Sequence, residues 1–171
     1  EWSSPESYDE TFANQRFIRL GNIVPDQYDC VIHARNTTKQ DTGYRNWPVD
    51  KWKDLISRLI ALGKSVCCVG SPTDSLCFEG AVDLRGILLS DLADIFRSSR
   101  LAIGPSSGPL HLASLCGCTQ LVWSANYNYN RYITHWNPFK SQVCFITEGC
   151  DRVWNPSVDI VFDSVKDIIG A

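Results

Sequence analysis

The stretch Arg100-Leu101-Ala102-Ile103-Gly104-Pro105-Ser106-Ser107-Gly108-Pro109-Leu110-His111-Leu112-Ala113 decides the fold. Its first four residues read as a short buried strand. Leu110, Leu112, Ala113 and Leu115 read as the packed part of a helix. Between them lie two hydroxyls, two glycines and a turn. A helix start carries backbone N–H groups without partners and a partial positive charge, so it attracts phosphate. Small residues let a ligand approach that backbone.

The pattern repeats on both sides. Upstream, Cys30-Val31-Ile32-His33-Ala34 predicts a first strand, followed by a polar loop from Arg35 to Asn46. Pro48 opens a helix, where its missing N–H costs little. Trp52, Leu55, Ile56, Leu59 and Ile60 fall on one helical face, and Gly63 ends it. Ser65 to Val69 predicts a second strand, Gly70-Ser71-Pro72 a turn, and Ala81 to Leu84 a short third strand. Leu89, Leu92, Ala93 and Phe96 mark a second amphipathic helix. Downstream come an apolar run at 120–123, an irregular aromatic-rich surface segment at 124–140, a strand at 141–146 and a C-terminal helix carrying Val158, Ile160, Val165, Ile168 and Ile169. Strands alternating with helices predict the α/β class, a Rossmann-like parallel sheet flanked by helices. Right-handed crossovers then bring the loops 35–46, 70–74 and 104–108 to the carboxyl edge of the sheet, where such folds bind ligands.

Size and composition agree with one core-bearing domain. The chain has 171 residues, 44% hydrophobic and 20% charged, with a net charge of -3. No run of Lys and Arg offers a nucleic acid its phosphate contacts, so nucleic acid is not the expected partner. No apolar stretch approaches the roughly 20 residues of a membrane-spanning helix. Residues 1–28 are polar and read as a linker or N-terminal arm. With Glu1 first and no Met, the sequence is expected to be a processed chain or a piece of a longer one. Its eight cysteines lack CxxC or Cys/His spacing, and a core of this size needs no disulfide staples. They are expected to be reduced and structural, with a cytoplasmic setting.

Four segments together resemble a known family: Arg45-Asn46-Trp47-Pro48; Val69-Gly70-Ser71-Pro72-Thr73-Asp74; Leu84-Arg85-Gly86; and Gly104 to Ala113. Their succession is similar to the donor-binding, C-terminal lobe of heptosyltransferase-type glycosyltransferases, the family 9-like proteins of GT-B architecture. The resemblance covers about residues 29–170, and Ser107-Gly108-Pro109-Leu110-His111-Leu112-Ala113 carries it most specifically. It implies that 29–171 is a nucleotide-sugar-binding domain, a single GT-B lobe. The diphosphate would meet Ser106, Ser107 and Gly108, with His111 and Arg45 beside it. Asp74 would bind the ribose, and Ile87, Leu88 and Leu89 would line the base. Hydroxyls of the first loop, Thr37 or Thr38 next to Asn36, would reach phosphate.

Two departures bear on the donor. The family usually has Asp where this chain has Ser106. His33-Ala34-Arg35 is similar to the His-x-Arg element of fucosyltransferases, another GT-B group, in which the Arg grips phosphate. An Arg there makes bidentate, charge-assisted bonds to a diphosphate. The resemblance thus implies a metal-independent glycosyltransferase. Arg35, Arg45 and His111 would stabilise the leaving diphosphate, no cofactor would be needed beyond the nucleotide-sugar donor, and a glycan would be the acceptor. The general base would come from an N-terminal lobe or partner domain. The alternatives are a non-catalytic nucleotide or carbohydrate module, a fucosyltransferase-like enzyme, or a nucleotide-sugar epimerase. A nicotinamide enzyme is excluded, because no Gly-x-Gly-x-x-Gly follows the first strand.

Each candidate also has a plain structural reading. His111 caps or packs its helix, Arg45 joins a surface ion pair, Asp74 caps a helix, and Trp47 and Trp52 anchor the core. Tyr127, Tyr129, Arg131, His135 and Trp136 fit an acceptor rim and loop packing equally well.

Overall fold

Alternating apolar and turn-forming segments build a parallel sheet covered on both faces. The computed structural model describes residues 19–24 and 28–170. Its strands are β1 (Cys30–Ile32), β2 (Ala34–Arg35), β3 (Val66–Cys68), β4 (Ser75–Leu76), β5 (Val82–Asp83), β6 (Leu101–Pro105), β7 (Gln120–Trp123) and β8 (Val143–Ile146). Its helices are α1 (Val49–Ala61), α2 (Leu89–Ser98), α3 (Gly108–Cys116) and α4 (Val158–Ile169). The main sheet runs β5-β3-β1-β6-β7-β8, with every neighbouring pair parallel. This is the doubly wound order. From β1 the sheet grows one way through β3 and β5, and from β6 the other way through β7 and β8.

Side-chain alternation divides the core. Cys30 and Ile32 join Trp52, Leu55, Leu59, Val161 and Val165 on the face covered by α1 and α4. Val31 joins Phe96, Leu110, Ala113 and Tyr132 on the face covered by α2 and α3. Trp47, Trp52 and Trp123 form an aromatic block with ring centroids 4.8 to 5.3 Å apart. Trp47 and Trp52 are thus core anchors. Such large rings bury much apolar area and fix the depth at which α1 sits on the sheet.

Several expectations need correction. Leu115 and Ile60 are 42% and 37% exposed rather than packed. Helix α3 is apolar on nearly every side, so its sequence does not mark which side meets the sheet. The segment 124–140 is not surface throughout. It contains a 3-10 turn at Asn126–Asn128 and a π-helical turn at Arg131–His135, and it buries Asn128 and Tyr132. The 35–46 loop includes β2 and a 3-10 helix at Gln40–Arg45.

Part of the expected N-terminal arm, residues 1–18 and 25–27, lies outside the described residues. Residues 19–24 lie along α2 and α3. The Leu20 N–H donates to the Leu115 carbonyl, and the Val24 N–H donates to Ser98 Oγ. All eight cysteines are free. Burial pushes the Cys30 thiol up to about 12 and that of Cys150 to about 11, so both remain protonated and unreactive at neutral pH. No described helix is long and apolar enough to cross a membrane.

Candidate functional site

The carboxyl ends of β1 and β6 adjoin, and the chain leaves them toward opposite faces of the sheet. That divergence opens a crevice. Three loops meet there. After β1, His33 turns its buried ring inward, with Nδ1 2.8 Å from Ser107 Oγ. After β3, Gly70 has a φ of +120°, and a Cβ built on it would lie 2.7 Å from His33 Cδ2. Only glycine fits that combination of backbone angle and close approach. After β6 come Ser106, Ser107 and Gly108. The small antiparallel pair of β2 and β4 ties the first loop to the second, and the Asn36 N–H adds a bond to the Asp74 carbonyl at 2.8 Å.

Ser107 stands at the N-cap of α3, but its hydroxyl does not cap the helix. The hydroxyl is turned to His33 instead. The first turn therefore faces outward without a side-chain acceptor, and a Cβ at Gly108 would meet nothing within 4 Å. An uncapped helix start beside open space is arranged to receive an anion. Ser106 is buried, and its Oγ accepts from the Tyr132 hydroxyl at 3.1 Å. The same phenol accepts from the Ser107 N–H at 3.3 Å and lies 3.3 Å from His111 Nε2. Tyr132 thus fixes three of the expected ligand-binding positions at once.

His111 stacks on Tyr132 at 4.7 Å and meets the Trp136 ring edge-on at 4.1 Å. Burial, then the nearby charge of Arg131, push its imidazole down to about 4. The ring is neutral at physiological pH and serves as a hydrogen-bonding group, with Nδ1 lacking a partner. His33 is likewise held down to about 4, by burial and then by Arg35.

Arg35 and Arg45 belong to the first of these loops. Burial and the charge of Arg45 lower the Arg35 pKa, so these two guanidiniums act on one another. Arg35 Nη1 donates to Asn46 Oδ1 at 3.4 Å, and Asn46 Nδ2 donates to the Thr37 carbonyl at 2.8 Å. Arg45 packs 5.1 Å over the Trp154 ring and 5.3 Å over Tyr44, whose hydroxyl accepts from its Nε at 3.1 Å. The charge of Arg45 also reaches Tyr132, which links it to His111. Arg35 and Arg45 thus act on one another, and Arg45 acts on the phenol that contacts His111. The ion pairs of the described residues involve Arg58, Arg85, Arg100 and Lys166, and none includes Arg35, Arg45 or Arg131. Arg45 is thus not in a surface ion pair.

The remaining expected positions divide. Asp74 caps no helix. It accepts from Thr37 Oγ1 at 3.2 Å, so both side chains are tied to each other. Thr37 is buried while Thr38 is exposed. Ile87 and Leu89 line an apolar cleft of about 380 Å³ together with Pro72, Leu84, Gly86 and Pro109. Leu88 does not line it and is 70% exposed. Arg85 is held in an ion pair with Asp83 at 2.7 Å. Among the described residues, no three His, Cys, Asp or Glu side chains stand together as a metal-ligand set.

Sequence reading missed Tyr44, Asn46 and Tyr132 as organisers of the site, and His33 as the partner of Ser107. Tyr44 and Asn46 flank Arg45, which was a local signal. Nothing local marks Tyr132, because its role depends on the approach of the 124–136 segment to α3.

The architecture defines the class: one α/β lobe of the GT-B type, with a crevice at the switch point of its sheet. Glycosyltransferases are among the solved structures that share this fold. A glycosyltransferase family 9 protein from Veillonella parvula superposes with a TM-score of 0.62 at 12% identity, covering 85% of this chain and 47% of that one. The dodecameric, iron-containing heptosyltransferase TibC of enterotoxigenic E. coli, in complex with ADP-D-beta-D-heptose, gives a TM-score of 0.56 at 18% identity, covering 88% of this chain and 47% of its own. E. coli heptosyltransferase WaaC with ADP gives 0.56 at 14% identity, covering 85% and 46%. The chain has the heptosyltransferase-type fold of family 9 and spans about half the length of these structures. No family model matches the sequence, and no curated protein sequence does either.

Proposed function

We propose that this chain is the donor-binding part of a glycosyltransferase that moves a sugar from a nucleotide-diphosphate donor to a glycan acceptor. One observation carries the reading: the apolar cleft of Ile87 and Leu89 is also lined by Pro109, in the first turn of α3. An apolar cleft that shares a wall with an uncapped helix start suits a nucleobase joined to phosphates. Arg35 and Arg45 would meet the phosphates, and each is hydrogen-bonded to a neutral acceptor, Asn46 Oδ1 and the Tyr44 hydroxyl. The fold's match to transferases, two of them holding ADP or an ADP-heptose, supports the same reading.

Transfer breaks the bond between the anomeric carbon and the diphosphate, and negative charge grows on the leaving oxygens. Donors already pointed at those oxygens lower the barrier, and more so where water is excluded. Arg35, Arg45 and the α3 amides supply that stabilisation, with neutral His111 as a hydrogen-bonding partner. The guanidiniums provide the positive charge for which other transferases use a metal ion, so the proposed reaction needs neither metal nor cofactor. Removal of the acceptor proton requires a base. We assign that base and the acceptor contacts to a second lobe or partner domain.

Calorimetric titration with ADP-, GDP- and UDP-sugars tests the reading. Saturable binding of at least one of them is expected. Absence of heat with every nucleoside diphosphate would overturn it.

A further inference from the structure

We propose that Arg131, from the segment after β7, is a third anion ligand of this site and binds the donor diphosphate alongside Arg35 and Arg45. This rests on the donor-site reading above. Arg131 is exposed, yet its guanidinium is held. Its Nη1 donates to Asn128 Oδ1 at 3.1 Å. Asn128 is itself buried, and its Nδ2 donates to Ser124 Oγ at 2.7 Å, directly beyond the end of β7. The guanidinium carbon lies 5.1 Å over the Trp136 ring, the same ring that meets His111 edge-on at 4.1 Å. Arg131 and His111 thus share one indole as their support. The charges of Arg45 and Arg131 both act on the Tyr127 phenol.

Charge balance points the same way. Among the described residues Arg35, Arg45 and Arg131 have no ion pair, and Asp74 acts on Arg35. Like charges held together cost free energy until an anion joins them. The asparagine and the indole orient the Arg131 fork without cancelling its charge, and they leave its other N–H groups for a ligand. A guanidinium held this way is suited to phosphate oxygens, to which it donates in parallel pairs. A purely structural arginine would be expected to have a carboxylate or carbonyl partner for more of its donors.

The test compares wild type, Arg131→Gln and Arg131→Lys by calorimetry with ADP, GDP and UDP and with the matching monophosphates, each at low and high salt. For the best-bound diphosphate, Arg131→Gln is expected to weaken binding about tenfold and to flatten the salt dependence. Binding of the monophosphate should change less than about threefold, and Arg131→Lys should recover part of the loss. Circular dichroism of the variants, unchanged from wild type, shows that the fold persists. If wild type binds diphosphate and Arg131→Gln binds it equally tightly with the same salt dependence, the Arg131 assignment is wrong while the donor site stands. If wild type binds no diphosphate, both fail together.

Discussion

His33 Nδ1 lies 2.8 Å from Ser107 Oγ, joining the ends of β1 and β6 across the crevice at the switch point. Gly70 closes over the other side of the same imidazole. The 106–108 turn is therefore held from the end of the first strand, and the tolerance at Gly70 is small. Gly70→Ala is expected to destabilise the protein by about 2–4 kcal/mol in urea denaturation, through backbone strain plus a clash with the His33 ring. Gly63→Ala is the comparison. It also has a positive φ, +72°, but a Cβ there meets nothing within 4 Å. Its expected cost is about 1–2 kcal/mol. Equal losses at the two positions would show that the contact with His33 does not matter.

Arg35 is half-buried and bonded to Asn46. Arg35→Gln is expected to reduce affinity for the best-bound nucleoside diphosphate about tenfold or more, with a weaker salt dependence. Removing a charge repelled by Arg45 should leave stability unchanged or slightly higher. Calorimetry and urea denaturation read the two effects separately. Unchanged affinity would remove Arg35 from the site.

Tyr132 is fully buried, and its hydroxyl meets Ser106, the Ser107 N–H and His111. Tyr132→Phe keeps the ring and strands these polar groups, at an expected cost of about 1–3 kcal/mol. Diphosphate affinity should fall as well, because the 106–108 turn loses its anchor. Thermal denaturation and calorimetry give the two values. A variant as stable as wild type, with full affinity, would contradict the role given to this phenol.

Stability should depend on pH through the two buried histidines. Each has an ordinary pKa of 6.5 in the unfolded chain and about 4 in the fold, so between these values the unfolded state binds more protons. The stability they contribute is complete above about pH 6.5 and is lost as pH falls toward 4. Asp29 and Asp83, both held below 3.8, add a separate loss at lower pH. Denaturant midpoints at several pH values between 7 and 4 should fall steadily, and His33→Gln should make that slope shallower. A flat profile over this window would mean that the histidines are not neutral in the fold.

Leu89 is 69% exposed although it lines the apolar cleft. An exposed leucine at a cleft wall buries its side chain when a ligand arrives. Leu89→Asp is expected to leave stability within about 0.5 kcal/mol, as for other surface changes. It should weaken nucleoside diphosphate binding at least about threefold while leaving inorganic pyrophosphate binding unaffected. Competition titrations distinguish these outcomes, and equal loss for both ligands would place the effect outside the base cleft.

Much of this architecture is written in local pattern. Trp52, Leu55, Ile56 and Leu59 specify α1 by their spacing, and the short apolar runs at 30–32, 66–68 and 101–103 specify buried parallel strands. The crossover rule then brings the three loops to one edge without further information. Leu115 and the segment 124–136 were misread because their burial is not periodic. An all-apolar helix does not mark its inner side, and an aromatic-rich loop gives no sign of where it folds back.

The sequence by itself determined the order of elements, the sheet's parallel direction and the glycine- and serine-rich turn before α3, because hydrophobic period and turn chemistry act between near neighbours in the chain. Only the tertiary structure decided that Ser107 bonds His33 rather than capping its helix, that Tyr132 holds the 106–108 turn, and that Arg35 and Arg45 lie close enough to act on one another. Those relationships join residues 10 to 74 positions apart. Distance in the chain says nothing about them until packing has fixed which surfaces meet.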